Sequence, residues 1–227
     1  MEANIKGILA KRWEVGAEHY AKGIKNKGIN QYDEWLELIQ DLVPNEPKLH
    51  VLDVGTGPGI MALLFSKLGH KTTGLDLSES MLNIARENAQ TSNIDCEFIQ
   101  GDAEDLSFED ESFDLVVNRL NLWTLPNPGR GVYHWARVLK PQGKLYIIAN
   151  DYETPIPEDP AARENDEIFT KEYYESFASL PFRHATAAQI KALLEAAGLV
   201  NVDVTPIHNI ENKKRDVPFC IITGEKN

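Results

Sequence analysis

Three glycines and two carboxylates near the start of the central region have the residue types and spacing of a nucleoside-binding site. Gly55, Gly57 and Gly59 follow the apolar run VLDV and let the backbone turn sharply beside a ligand, where a Cβ atom would collide. Asp76 ends a second apolar run about twenty residues later, a spacing at which a carboxylate accepts hydrogen bonds from both hydroxyls of a ribose. The pattern therefore predicts a strand, a glycine-rich turn and a helix that bind a nucleoside.

The glycine spacing disfavours a dinucleotide. A dinucleotide-binding turn reads G-x-G-x-x-G, whereas Ile60 occupies the third glycine position here and Gly59 comes one residue early. Asp53 adds a carboxylate inside the strand, where it would repel a pyrophosphate. The predicted ligand is a nucleoside cofactor without a diphosphate, and a nicotinamide-dependent oxidoreductase is the disfavoured alternative.

These motifs resemble those of class I S-adenosylmethionine-dependent methyltransferases. The runs VLDVGTGPG and GLDLS are similar to the first motif of that family and to the acid that follows it, and the match continues in the family's order through residues 101–117 and 138–147. The resemblance implies S-adenosylmethionine as the cofactor and methyl transfer as the activity. It leaves the methyl acceptor open.

The resemblance also implies roles for individual residues. Asp53 helps to hold the cofactor's ammonium, Asp102 accepts from the adenine amino group, and the N–H of Ala103 donates to a ring nitrogen. Leu77 and Met81 pack on the adenine, although a methionine at helical spacing also suits the core. The predicted cofactor-binding residues are Asp53, Gly55, Thr56, Gly57, Gly59, Asp76, Leu77, Met81, Asp102, Ala103, Asn118 and Tyr20.

The acceptor end of the site is less explicit. After the fourth predicted strand the chain reads NRLN, without the prolines of the [D/N]-P-P-[F/Y] motif of family members that methylate nucleobase or glutamine amino groups. Arg119 is a candidate partner for an acceptor carboxylate, and Trp13 and Trp123 are candidate walls of the acceptor pocket.

A base is needed only if the acceptor is weakly acidic. His19, Tyr20 and His184 are the candidates, and a structural role is the alternative for each. No spacing of histidines and cysteines predicts a metal site.

Strand and helix patterns alternate after about residue 45, which is typical of a parallel sheet with crossover helices. The predicted fold is α/β, a Rossmann-like doubly wound, mostly parallel seven-stranded sheet with an antiparallel closing strand. Residues 141–143 (Pro-Gln-Gly) are predicted to form a turn before the fifth strand, and residues 211–215 a polar turn between the last two. We expect one domain over residues 1–227, in which helical residues 1–44 and an insertion at residues 152–184 cover the site.

Composition narrows the partners and the compartment. The formal charge of −12 and the pI near 5.0 disfavour nucleic acids, which bind basic surfaces. No apolar run approaches the roughly 20 residues that span a bilayer, no secretory signal is evident, and the two cysteines suit a reducing compartment. We therefore predict a cytoplasmic protein without a membrane partner, of undetermined oligomeric state.

The favoured function is methyl transfer to a small molecule. Two alternatives stay open: a protein methyltransferase, because an acidic surface can receive basic protein segments, and an S-adenosylmethionine-binding partner subunit without its own catalysis.

Overall fold

The computed structural model describes residues 2–26, 31–43, 47–150, 171–210 and 217–227. The helices are α1 Glu2–Asn26, α2 Tyr32–Leu42, α3 Ile60–Lys67, α4 Glu79–Ser92, α5 Pro128–Val138, α6 Lys171–Ala178 and α7 Ala187–Ala196, with a 3₁₀ turn at Leu122–Thr124. The strands are β1 His50–Val54, β2 Lys71–Asp76, β3 Glu97–Gln100, β4 Phe113–Arg119, β5 Leu139–Asn150, β6 Val200–Ile207 and β7 Phe219–Glu225.

The strands form a seven-stranded sheet in the order β3-β2-β1-β4-β5-β7-β6. Each pair from β3 to β5 is parallel, and β7 runs antiparallel to both β5 and β6. The predicted fold class is confirmed. Because β1 is followed by β2 on one side and flanked by β4 on the other, the strand order reverses at its carboxyl end. Ligands of open α/β sheets bind at such a reversal.

The sheet carries an apolar core on each face because successive strand residues point to opposite sides. Leu52 and Val116 face a core centred on Trp135 of α5. Val51 and Val117 face a core centred on Trp35 of α2. Both faces of the central strands are therefore dry, which explains why their sequences are nearly all apolar.

Polar side chains cap the starts of α4 and α7, and a glycine follows the end of α7. The Ser78 hydroxyl accepts from the Met81 N–H at the start of α4, and Thr186 forms a capping box with Gln189 at the start of α7. Gly198 follows α7 with a left-handed φ of 89°, which a glycine adopts without strain.

The predicted turn at residues 141–143 is wrong in its placement. These residues lie inside β5, which begins at Leu139, and the pairing with β4 skips from Leu139 to Lys144 through a bulge. Gln142 takes a left-handed φ of 64° there, and its N–H donates to the Lys226 carbonyl. The turn residues thus make a bulge that the neighbouring C-terminal segment closes.

Two predicted segments fall largely outside the described residues. The structure describes residues 171–184 of the predicted insertion, including α6, and not residues 152–170. The predicted polar turn at residues 211–215 also lies outside. In the described part, α1 packs against α4 and α6, and α2 packs against α3.

Candidate cofactor site

The glycine-rich turn joins β1 to α3 at the reversal of strand order. Gly55, Gly57 and Gly59 have φ values of 70°, 54° and 86°, all in the left-handed region that other residues avoid. The N–H groups of Gly55 and Thr56 both donate to the Leu75 carbonyl, at 2.8 and 3.0 Å, which ties the turn to β2. The backbone path of the turn is therefore set by the sheet.

Asp53 lies behind this turn and supports it. Its carboxylate is 1 % exposed and accepts from the Thr56 hydroxyl at 2.6 Å and from the Ala62 N–H at 3.1 Å. Burial raises the pKa of the carboxyl to about 6, because a low-dielectric environment disfavours the charged form. The side chain of Asp53 therefore contacts the turn at Thr56 and α3 at Ala62.

We expect the free energy of unfolding of Asp53→Asn to increase relative to that of the parent as the pH rises. Between pH 3.8 and about 6 the native state holds the Asp53 proton more tightly than the unfolded chain, so the parent loses stability across that window. The asparagine does not titrate. The difference in the free energy of unfolding should grow by on the order of 2 kcal/mol from pH 4 to pH 7, measured by urea denaturation.

Asp114→Asn is the matched control with the opposite sign. Burial would raise the pKa of Asp114, but the ammonium of Lys140 and the N–H of His50 donate to the carboxylate and lower it. The parent therefore gains stability with pH from this group, and Asp114→Asn should lose relative stability as the pH rises. A common slope for the two variants would contradict the assignment to Asp53.

Asp76 ends β2 directly opposite the turn. One carboxylate oxygen accepts from the Gly57 N–H at 2.8 Å and the other from the Ser78 N–H at 2.9 Å. Burial raises the pKa of this carboxyl, and the two backbone donors act against that rise. The two N–H groups fix the plane of the carboxylate while each oxygen keeps a lone pair for a further donor.

Two adjoining cavities meet at Asp76. The first, here the Leu77 cavity, has a volume of about 530 Å³. The second, the Arg119 cavity, has a volume of about 540 Å³. Both are lined by Trp13, Gly55, Asp76, Asn121 and Thr124, so together they form one cleft along the carboxyl edge of the sheet.

Most of the predicted cofactor residues line this cleft. Those that do are Gly55, Thr56, Gly57, Asp76, Leu77, Met81, Asp102, Ala103 and Tyr20. Asp53, Gly59 and Asn118 lie behind it. Asn118 is fully buried, donates to the Val54 carbonyl at 2.8 Å and accepts from the Leu122 N–H at 3.1 Å, so it holds the segment after β4 in place.

Helix α1 closes the cleft from above through polar contacts at two places. Lys6 Nζ lies 2.7 Å from an Asp102 carboxylate oxygen and also pairs with the buried Glu104. Glu14 accepts from the hydroxyls of Ser78 at 2.8 Å and Ser80 at 2.6 Å. These contacts hold α1 over the Leu77 cavity, whose lining includes Lys6, Leu9, Ala10 and Trp13 of that helix.

The Arg119 cavity combines one cation with aromatic walls. The Arg119 guanidinium stacks over the Trp35 ring at 4.6 Å, and Tyr20 meets Trp13 edge to face at 5.6 Å. Burial raises the pKa of the Tyr20 phenol, so this side chain is neutral near pH 7 and is a poor base. Tyr20 is suited to donate a hydrogen bond.

Two candidate bases and one candidate wall of the acceptor pocket lie away from the cleft. His19 is exposed on α1 and His184 is half-buried; neither lines the two cavities at the turn. Trp123 packs edge to face on Phe177 at 5.3 Å and lines a separate cavity of about 290 Å³. The geometry gives neither histidine a position beside a ligand in the cleft.

Sequence reasoning missed Asn121, Thr124 and Lys6 as lining residues. Asn121 donates to the Thr124 hydroxyl at 3.1 Å, and both face the cleft because Leu120 turns the chain with a left-handed φ of 55°. The run NRLN indicated a polar residue at this end of the site. The residue that faces the cleft is Asn121, not the predicted Asn118. Nothing local marks Lys6.

Comparison with known proteins agrees with this geometry. Residues 52–147 match the family model described as a methyltransferase domain. The chain is 34% identical over 98 residues to a ubiquinone biosynthesis O-methyltransferase of Coxiella burnetii, covering 43% of this chain and 42% of that protein. It is 29% identical over 194 residues to a demethylmenaquinone methyltransferase of Staphylococcus carnosus, covering 78% of each.

A solved structure with the same fold is an S-adenosylmethionine-dependent methyltransferase of Thermotoga maritima, a possible histamine N-methyltransferase. It superposes with a TM-score of 0.66 at 22% identity over 96% of this chain and 100% of that one. The chain spans less than half the length of the Coxiella relative.

Fold and site define a Rossmann-like nucleoside-binding protein whose turn suits a cofactor without a diphosphate. More specifically, residues 52–147 match the methyltransferase domain family, and the fold is that of a solved S-adenosylmethionine-dependent methyltransferase. Among the described residues no helix is long and apolar enough to cross a membrane. The same ranges contain no cluster of three or more His, Cys, Asp or Glu side chains that could hold a metal ion.

Proposed function

We propose that the protein transfers the methyl group of S-adenosylmethionine to a small-molecule acceptor. The observation that carries the proposal is the cleft itself. Its centre is a carboxylate, Asp76, whose plane is fixed by two backbone N–H groups, and it faces a turn of left-handed glycines. A nucleoside with a free ribose diol and no diphosphate suits this arrangement.

The residues of the cleft fit the parts of the cofactor. Asp76 would hold the ribose, Leu77 and Ala103 would enclose the adenine, and Asp102 would accept from its amino group. Gly55 and Gly57 would leave room for the methionine part, since a Cβ on Gly57 would point into open space. Asp53 would reach the ammonium only through the turn or a water molecule.

When bound, the cofactor presents a methyl group on a positively charged sulfur. The protein's part is then to hold an acceptor in line with that group and to exclude water, and such alignment supplies much of the rate of a bimolecular reaction. Trp13 and Tyr20 would wall the acceptor, and α1 would keep the cleft closed. We propose that residues 1–227 form one domain and that α1 and α2 are the predicted N-terminal cover of its site.

Several features support a small acceptor. The cleft is covered by α1 and its walls include the aromatic Trp13 and Tyr20, whereas a protein substrate needs an open groove. One relative is named as a ubiquinone biosynthesis O-methyltransferase and another as a demethylmenaquinone methyltransferase, which favours an aromatic acceptor such as a phenol or hydroquinone. The acidic charge keeps nucleic acids the disfavoured partner.

Isothermal titration calorimetry tests the cofactor. We expect S-adenosylhomocysteine, the demethylated cofactor, to bind with micromolar affinity, because the cleft meets its ribose, adenine and amino-acid parts. NADH should show no heat of binding. Binding of NADH in place of S-adenosylhomocysteine would contradict the proposal and favour a nicotinamide-dependent oxidoreductase.

A second assay separates the enzyme from a non-catalytic binding subunit. Incubation with S-adenosylmethionine and either a catechol or a hydroquinone should release S-adenosylhomocysteine only when acceptor is present. Basic peptides tested in parallel address the protein-methyltransferase alternative. Methylation of the peptides alone would overturn the small-molecule assignment.

A further inference from the structure

Arg119 is a partly buried cation that forms no ion pair with an acid of the described residues. It ends β4 and lines the Arg119 cavity with Gly57, Ile60 and Met81. Its Nε atom is buried without a hydrogen-bond partner, and its recorded contact is the stacking on Trp35. The arginines Arg86, Arg130 and Arg137, by comparison, each pair with a carboxylate at the surface.

The acid that acts on this guanidinium, Asp53, and the acid that lines its cavity, Asp76, both accept hydrogen bonds from other groups. Asp53 binds the Thr56 hydroxyl and the Ala62 N–H, and Asp76 binds the two backbone N–H groups beside the turn. The remaining groups that act on Arg119 are the phenols of Tyr20 and Tyr32, which are neutral near pH 7. Asp53 attracts the guanidinium from a distance without pairing with it, so within the described residues the positive charge lines the cavity without a paired carboxylate.

A desolvated charge without a partner costs stability, and a ligand that supplies the opposite charge would offset that cost. A planar guanidinium pairs best with a carboxylate, which it can bind through two parallel N–H groups. The walls of the Arg119 cavity combine apolar and aromatic side chains such as Trp13, Ile60 and Met81 with the polar Asp76, Asn121 and Thr124. The apolar part of the lining would strengthen such a pair by excluding water.

We propose that Arg119 binds a carboxylate of the ligand that fills the Arg119 cavity. This inference rests on the proposed function and adds that the cleft selects a ligand with a negatively charged group. Two sources carry this chemistry: the amino-acid end of the cofactor and a carboxylate on the acceptor. Both would lie beyond the ribose as seen from Asp76.

Two adenosine ligands test the cofactor as the source. S-adenosylhomocysteine carries the carboxylate, and 5′-methylthioadenosine has the same adenosine and thioether without the amino-acid end. If the cofactor supplies the carboxylate, Arg119→Met should weaken S-adenosylhomocysteine at least about tenfold and leave methylthioadenosine unchanged in calorimetric titrations. Arg119→Lys, which keeps the charge without the fork, should fall between parent and methionine variant.

Benzoate and neutral benzamide test the acceptor as the source, titrated into protein saturated with S-adenosylhomocysteine. If the acceptor supplies the carboxylate, benzoate should bind better than benzamide, and Arg119→Met should remove that preference while S-adenosylhomocysteine binding is unchanged. The proposal is overturned if Arg119→Met alters neither the affinity for S-adenosylhomocysteine nor a preference for benzoate. An equal loss for both adenosine ligands would also overturn it.

Thermal unfolding separates binding from a structural role. Removing an uncompensated buried charge should leave the melting temperature of Arg119→Met equal to that of the parent or raise it, whereas a structural arginine would lower it. Parent protein that binds neither adenosine ligand would refute the proposed function itself. Parent protein that binds both, with Arg119→Met behaving identically, would refute only the role of Arg119.

Discussion

Asp76→Ala is expected to weaken the binding of S-adenosylhomocysteine at least tenfold, or about 1.4 kcal/mol. The carboxylate lies where the two cavities meet, and a ribose diol would donate to both of its oxygens. The substitution also leaves the Gly57 and Ser78 N–H groups without their acceptor. Part of the loss therefore comes from a turn that is no longer held in its binding conformation.

Asp76→Asn separates these two effects. The amide keeps the shape and one acceptor oxygen, so it should preserve part of the turn while losing the charge-assisted bonds to the ribose. Asp105→Ala is the matched control, since that acid is exposed and pairs with Arg130 at the surface. Affinity for S-adenosylhomocysteine should follow the order Asp105→Ala, Asp76→Asn, Asp76→Ala in calorimetry. An unchanged dissociation constant in Asp76→Ala would remove Asp76 from the site.

Gly55→Ala is expected to lower the free energy of unfolding by roughly 2–4 kcal/mol and to weaken cofactor binding as well. Gly55 has a φ of 70°, and an added Cβ would lie 2.3 Å from Asn121 Cγ. The side chain of Asn121 would have to move, and it lines both cavities. Urea denaturation measures the first effect and calorimetry with S-adenosylhomocysteine the second.

Gly69→Ala isolates the backbone strain from the collision. Gly69 follows α3 with a φ of 93°, and a Cβ there would meet nothing within 4 Å. This variant should lose about 1–2 kcal/mol of stability and keep its affinity for S-adenosylhomocysteine. If both variants lose the same stability and bind equally well, the contact between Gly55 and Asn121 has no energetic weight.

The parallel sheet and its order of elements could be predicted because the signals are local. Apolar runs such as VLDV and LVV are buried on both faces, and the caps at Ser78 and Thr186 act within one helical turn. The turn at residues 141–143 was misplaced for the opposite reason. Its composition is that of a turn, but the carbonyl of Lys226, distant in sequence, pairs with the backbone there and draws it into β5.

The cofactor half of the cleft was also predictable, since the residues that line it follow strands directly. The exceptions are informative. Asn118 and Asn121 are both polar residues at the end of β4, and the sequence does not say which one faces the ligand. The left-handed Leu120 between them decides this by turning Asn121 towards the cleft, while Asn118 binds the Val54 carbonyl inside the sheet.

The sequence by itself indicated the methyltransferase motifs, the sheet and the position of Asp76 opposite the glycine turn, because these depend on periodicity and on short spacings. The tertiary structure alone decided how the cleft is closed and charged. Lys6 meets Asp102 across 96 residues, and Arg119 finds Trp35 rather than an acid. Such contacts depend on how helices settle on the finished sheet, and no local pattern encodes that packing.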